Sequence, residues 1–235
     1  MPVLSGNQSN SPTVQDIAKQ LKSNPAFYNI LGGAPVLTSW NITSNLLSHP
    51  QIDQVGDSIS KGYYQGAPST TFVQQLAAVY SSNLLAGAGD TTTDVVNDLA
   101  EINATQPANV ILEIGVNDVC RDLDTVASTF ARYQQAVTSF QHNGATVYYL
   151  LIDAPGCNMS AFDALVIAAY PSAYIIEPSF TGCLGCFNAD NIHPTAAGAT
   201  VIYNAEIAAL ASAPPASQGS SMSLQNVSIK NAVLQ

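Results

Sequence analysis

The stretch Val110-Ile111-Leu112-Glu113-Ile114 is apolar on both sides of a β pleat, with Glu113 the one exception. A run of this kind suits a central parallel strand covered by helices on both faces. Shorter apolar runs at 52–55, 84–85, 147–152 and 174–176 predict further strands. Between them the spacing changes to the helical period. Phe72, Leu76, Val79 and Tyr80 share one face; Val95, Leu99 and Ile102 share another; Val126, Phe130, Tyr133, Val137 and Phe140 recur at intervals of 4, 3, 4 and 3. A last helix is expected over about 195–211, burying Tyr203, Ile207 and Leu210. Strands alternating with helices through short connections imply an α/β chain: three layers, α/β/α, around a parallel sheet of about five strands.

The ends of the chain read differently. Residues 1–50 form a lead-in expected to pack on the core, with one helix at about 14–23 and a Gly32-Gly33-Ala34-Pro35 turn. From Ala213 the composition shifts to Ala, Pro, Ser and Gly, so 213–235 is read as a linker followed by an arm. The unit between them is 51–212. Met1 to Thr13 has neither a basic leader nor an apolar core and is not expected to be a signal peptide. No run of about 18 apolar residues occurs, so no membrane insertion is expected. Sixteen acids against six bases give a net charge of −10, which disfavours nucleic acid and anionic bilayers as partners. Charged residues are only 9% of the chain, so its surface must be largely neutral and polar.

In an open parallel sheet, reactive groups collect at the carboxyl ends of strands. Four such ends carry polar or glycine-rich sequence: Gly56-Asp57-Ser58, Gly87-Ala88-Gly89-Asp90, Gly115-Val116-Asn117-Asp118, and Asp190-Asn191-Ile192-His193 before the last helix. Singly, each has an ordinary reading. Gly-Asp-Ser serves equally as a strand-to-helix turn with a capping serine, and Asp-x-x-His as a cap beside a surface histidine. The other two histidines have simpler places, His142 at a helix end and His49 before Pro50 in a loop.

Taken together and in this order, the four segments resemble the SGNH (GDSL-like) hydrolase superfamily over about 52–210. The first block reads Gly56-Asp57-Ser58-Ile59, the second Gly87-Ala88-Gly89-Asp90-Thr91-Thr92, the third Ile114-Gly115-Val116-Asn117-Asp118, and the last Asp190-Asn191-Ile192-His193-Pro194. The resemblance implies a flavodoxin-like fold and a serine esterase without a cofactor or metal. It implies Ser58 as nucleophile, His193 as its base and Asp190 as the group orienting the imidazole. It also implies an oxyanion hole made by the N–H groups of Ser58 and Gly89 and the side-chain amide of Asn117. Asp57 and Asp118 are expected to hydrogen-bond within their loops. About fifty residues precede the first block, where the family often starts almost at once.

Four cysteines allow three pairings, and four reduced thiols are an alternative. The Cys183–Cys186 spacing alone is weak evidence for zinc. If the strands before Cys120 and Cys157 are neighbours, as in the family, those two pair and Cys183 closes locally on Cys186. The low charge and even cysteine count favour disulfides, and with them a secreted or extracellular location is expected. The implied reaction is ester hydrolysis through an acyl-enzyme, on short acyl esters or O-acetylated glycans. The rivals are a lipase or phospholipase using the same groups, acyl transfer to a sugar, and a cell-surface or virion binding module built on a hydrolase fold. Oligomeric state is not legible.

Overall fold

The computed structural model describes residues 50–66 and 70–212. The predicted helix at 14–23, the turn at 32–35, His49 and the segment 213–235 lie outside the described residues. Five parallel strands form one sheet: β1 (Ile52–Gly56), β2 (Ser82–Ala86), β3 (Asn109–Glu113), β4 (Thr146–Leu150) and β5 (Ile175–Ile176), in the order β2-β1-β3-β4-β5. The helices are α1 (Phe72–Ala77), α2 (Thr92–Asn97), α3 (Leu99–Asn103), α4 (Val126–His142), α5 (Ser160–Ala169) and α6 (Ala196–Ser212). On one face α4 packs against α2, α3 and α5; on the other, α1 packs against α6. This is the expected three-layer fold.

The chain reverses its direction of winding between β1 and β3, and the crevice beyond their carboxyl ends is where an open α/β sheet binds ligands. In register, Gly56 lies beside Ala86 on one side and Glu113 on the other. The segments following these three strands therefore emerge together.

Local chemistry accounts for the helix starts. Thr91 and Asp94 form a reciprocal capping box at α2, and the Thr125 hydroxyl accepts the Ser128 N–H at α4. Helix α4 buries Thr129, Tyr133, Ala136, Val137 and Phe140 and ends at His142, which is exposed and hydrogen-bonded to the Thr138 carbonyl. Two readings change. The single helix expected around Val95 to Ile102 is two short ones meeting at Asp98. Helix α6 turns Gly198, Ala199, Ile202 and Glu206 inward, leaving Tyr203, Ile207 and Leu210 half-buried.

Both disulfides form as the family layout implied, Cys120–Cys157 and Cys183–Cys186, and no free cysteine remains. Cys183–Cys186 is thus an oxidised pair, not half of a zinc site. The first bridge closes 37 residues of chain. Constraining a loop of that length in the unfolded state is worth about 4 kcal/mol. Replacing both cysteines by serine (C120S/C157S) should lower Tm by about 10 °C, measured by calorimetry under oxidising conditions. An unchanged Tm would remove the bridge from the account of stability.

Candidate active site

Ser58 sits two residues past β1, in a turn that its neighbours define closely. The Asp57 carbonyl accepts the Lys61 N–H, the Ser58 carbonyl accepts the Tyr63 N–H, and the Asp57 carboxylate accepts the Ile59 N–H at 2.8 Å. Gly56 is required by space: a Cβ there would lie 2.2 Å from Ser60 Oγ and 2.5 Å from the Glu113 carbonyl oxygen. The turn leaves Ser58 8% exposed.

His193 arrives from the loop before α6. Its Nε2 accepts the Ser58 hydroxyl at 2.8 Å, and its Nδ1–H donates to Asp190 Oδ2 at 2.7 Å. The carboxylate contact at Nδ1 fixes the tautomer that leaves Nε2 free to accept a proton. The other oxygen of Asp190 accepts the N–H groups of Ile192 and His193 at 2.9 and 3.0 Å. Partial burial pushes this carboxyl up, but those N–H groups and the imidazole together hold it below the ordinary carboxylate value.

The loop carrying Asp190 and His193 is braced from two sides. The Gly156 N–H, beside Cys157, donates to the Asn191 carbonyl at 2.7 Å. The Asn188 amide donates to the carbonyls of His193 and Pro194, and the Thr195 N–H donates to the carbonyl of Cys186. Both disulfides thus adjoin segments that hold the imidazole in place. Sequence reasoning did not single out Asn188, which carries no motif signal.

The three hydrogen-bond donors expected for an oxyanion are held differently. Gly89 has φ +80°, in the left-handed region where a side chain is strained, and a Cβ there would meet Arg121 Nη1 at 2.6 Å. Among the described residues neither the Ser58 nor the Gly89 N–H donates to another group. The Asn117 amide behaves differently. It opens a single turn of π-helix, Asn117–Arg121, and its Nδ2 donates to the Asp90 carbonyl at 2.9 Å and to Asp57 Oδ2 at 3.2 Å. Asp118 is not at the centre of the site. It accepts the N–H and hydroxyl of Thr92 and pairs with Arg132 at 3.0 Å, fastening the third segment to the second.

Behind Ser58 lies a buried acidic pair that the motifs did not announce. Glu113, the polar exception in the apolar run, accepts the Ser60 hydroxyl at 2.8 Å and its N–H at 3.3 Å. Burial pushes Glu113 up to about 7 in spite of those donors. Asp57 is pushed well up by its own burial and then by the charge of Glu113. Glu206 on α6, fully buried and without a hydrogen-bond partner among the described residues, is raised the same way.

These shifts have one sign for stability. The folded state holds the Glu113 proton more tightly than the unfolded chain, where the carboxyl titrates at 4.5. Its contribution is complete below that value and is lost as pH climbs through about 7. Tm should therefore fall between pH 5 and 8, and Glu113→Gln should flatten the decline. Scanning calorimetry across that range tests it, and an unaltered slope in the variant would contradict it.

Among the described residues no cluster of three or more His, Cys, Asp or Glu could hold a metal ion, and no helix is long and apolar enough to cross a membrane.

Residues 55–211 match the GDSL-like lipase/acylhydrolase family. No curated protein matches the chain. Solved structures do. TesA is 26% identical with a TM-score of 0.56, the match covering 68% of this chain and 97% of that one. A two-domain esterase active on acetylated mannans is 17% identical with a TM-score of 0.55, over 80% of this chain and 54% of that one. A family 3 carbohydrate esterase from Talaromyces cellulolyticus is 16% identical with a TM-score of 0.54, over 68% and 95%.

Proposed function

The chain belongs to the GDSL-like lipase/acylhydrolase family, and from that premise we propose that it is a serine esterase acting through Ser58, His193 and Asp190. The observation that carries this is the row Ser58 Oγ, His193 Nε2 and Nδ1, Asp190 Oδ2, with links of 2.8 and 2.7 Å; the N–H groups of Ser58 and Gly89 have no other acceptor among the described residues.

The reaction follows from the arrangement. Ser58 Oγ attacks the ester carbonyl carbon while His193 Nε2 takes the hydroxyl proton. Asp190 stabilises the imidazolium. The carbonyl oxygen, now negative, is met by the N–H groups of Ser58 and Gly89. The Asn117 amide joins them by giving up its longer contact, to Asp57, which at 3.2 Å is the weaker of its two. Collapse breaks the bond to the alcohol oxygen, which leaves with the proton from His193. Water then attacks the acyl-serine, His193 again acting as base, and the carboxylic acid departs.

The substrates we assign are short acyl esters, O-acetylated glycans foremost. Two similar structures act on acetylated mannans or bear the name carbohydrate esterase, and the sparse charge of this chain suits a neutral polymer. Residues 51–212 are the hydrolase unit. The two disulfides fit a secreted or extracellular enzyme.

p-Nitrophenyl esters from acetate to palmitate, and acetylated xylan with acetate release as readout, test the assignment. Cleavage should be greatest for acetate and should extend to the xylan. A preference rising toward palmitate would make the protein a lipase, and no cleavage of any ester would leave a binding module.

A further inference from the structure

Tyr64 is 53% exposed and sits at φ +59°, a backbone conformation that glycine adopts freely and tyrosine only under strain. Its surroundings keep it there. The adjacent Gln65 is fully buried; its side-chain amide donates to the Ile59 carbonyl at 2.8 Å and its side-chain oxygen accepts the Phe72 N–H at 3.2 Å. The chain on the other side is fixed by the Tyr63 N–H bond to Ser58. The Tyr63 and Tyr64 rings stand edge to face at 5.3 Å. Both approach the imidazole of His193, with centroid separations of 5.8 and 5.4 Å. A strained, solvent-facing aromatic ring contributes little to a core, and none of the described residues accepts or donates a hydrogen bond at its phenol.

The chemistry says which half of an ester this ring meets. His193 Nε2 must return its proton to the leaving oxygen, so the alcohol lies on the histidine side of Ser58, while the Gly89 and Asn117 donors take the carbonyl oxygen. Tyr63 and Tyr64 flank the histidine. Resting on the esterase reading above, we propose that Tyr64 is a specificity-determining residue that stacks the neutral sugar ring bearing or adjoining the scissile ester, with Tyr63 bracing it. The C–H face of a pyranose meets the ring, and the phenol O–H, unbonded among the described residues, meets a sugar hydroxyl. The rival occupant, a flexible acyl chain, belongs on the other side of the carbonyl.

The test compares an acetylated xylo-oligosaccharide with ethyl acetate, whose alcohol has no ring, by acetate release. p-Nitrophenyl acetate is a poor control because its own alcohol is aromatic. Tyr64→Ala and Tyr64→Gly should lower kcat/KM on the oligosaccharide roughly tenfold, mainly through KM, and at least fivefold more than on ethyl acetate. Tyr64→Phe should keep most of the activity. Tyr64→Gly should hold or raise Tm because it relieves the strained backbone, an outcome that a purely structural role does not give. Equal losses on both substrates, an unaffected oligosaccharide, or a loss confined to long acyl chains would overturn the proposal. A wild type that cleaves ethyl acetate but not the oligosaccharide would overturn it while leaving the esterase reading in place. Failure on every ester would remove both.

Discussion

Replacing Ser58 by alanine is expected to lower kcat for p-nitrophenyl acetate by roughly four to six orders of magnitude, with Tm within a few degrees of wild type. The hydroxyl oxygen is the atom that forms the acyl bond in the proposed reaction. His193→Ala should cost about as much, because an unassisted serine hydroxyl is a poor nucleophile at neutral pH. The two together should be no worse than either alone. A base without its nucleophile and a nucleophile without its base are equally idle, and the small residual rate comes from the hydrogen-bond donors and binding. Asp190→Ala should cost less, since the N–H bonds of Ile192 and His193 to that carboxylate shape a loop that the Gly156, Asn188 and Thr195 contacts also hold. Steady-state kinetics on the four variants, with calorimetry to confirm folding, give the ranking. An active Ser58→Ala enzyme, or additive losses in the double variant, would refute the assignment.

How legible this was depends on the range of the interactions. Period and order carried the sheet, because apolar runs at 52–55 and 110–114 and the helical spacing through Phe140 are local patterns. Helix α5 was not foreseen. Its sequence Ser160–Ala169 is apolar nearly all round, with Leu165 and Ile167 exposed, so no polar face marks a helical period. The inward face of α6 was misjudged for a related reason. Its pattern places several apolar stripes in competition, and a buried glutamate, Glu206, lies on the one that packs.

At the site, the motif segments were readable because each is contiguous, whereas their supports are not. Ser60 and Glu113 are 53 residues apart and Asn117 and Asp57 are 60 apart. Glu113 alone left a trace, as a carboxylate in an otherwise apolar strand. The strain at Tyr64 is a backbone property that no residue type announces.

Asn117→Ala is expected to lower kcat on p-nitrophenyl acetate by about 10²–10³, leaving KM within a fewfold. The amide meets the oxygen only once charge has developed there, so its loss is felt in the transition state and not in substrate binding. Its contacts in the free protein set the size of the effect. With one N–H held by the Asp90 carbonyl at 2.9 Å, the amide cannot swing away, and the proton pointing to Asp57 at 3.2 Å is the one available to the substrate. Asp57 is the partner that can release it most readily. A carboxyl buried beside Glu113 is driven toward its neutral form, and a neutral acid accepts a hydrogen bond less strongly than a carboxylate. Asp57→Asn should therefore retain far more activity than Asn117→Ala, since it keeps an acceptor for the Ile59 N–H and removes a competitor for the amide. If Asn117→Ala loses less than tenfold while Asp57→Asn is inactive, the amide is a brace for the Ser58 turn and the oxyanion is met by the two backbone N–H groups alone.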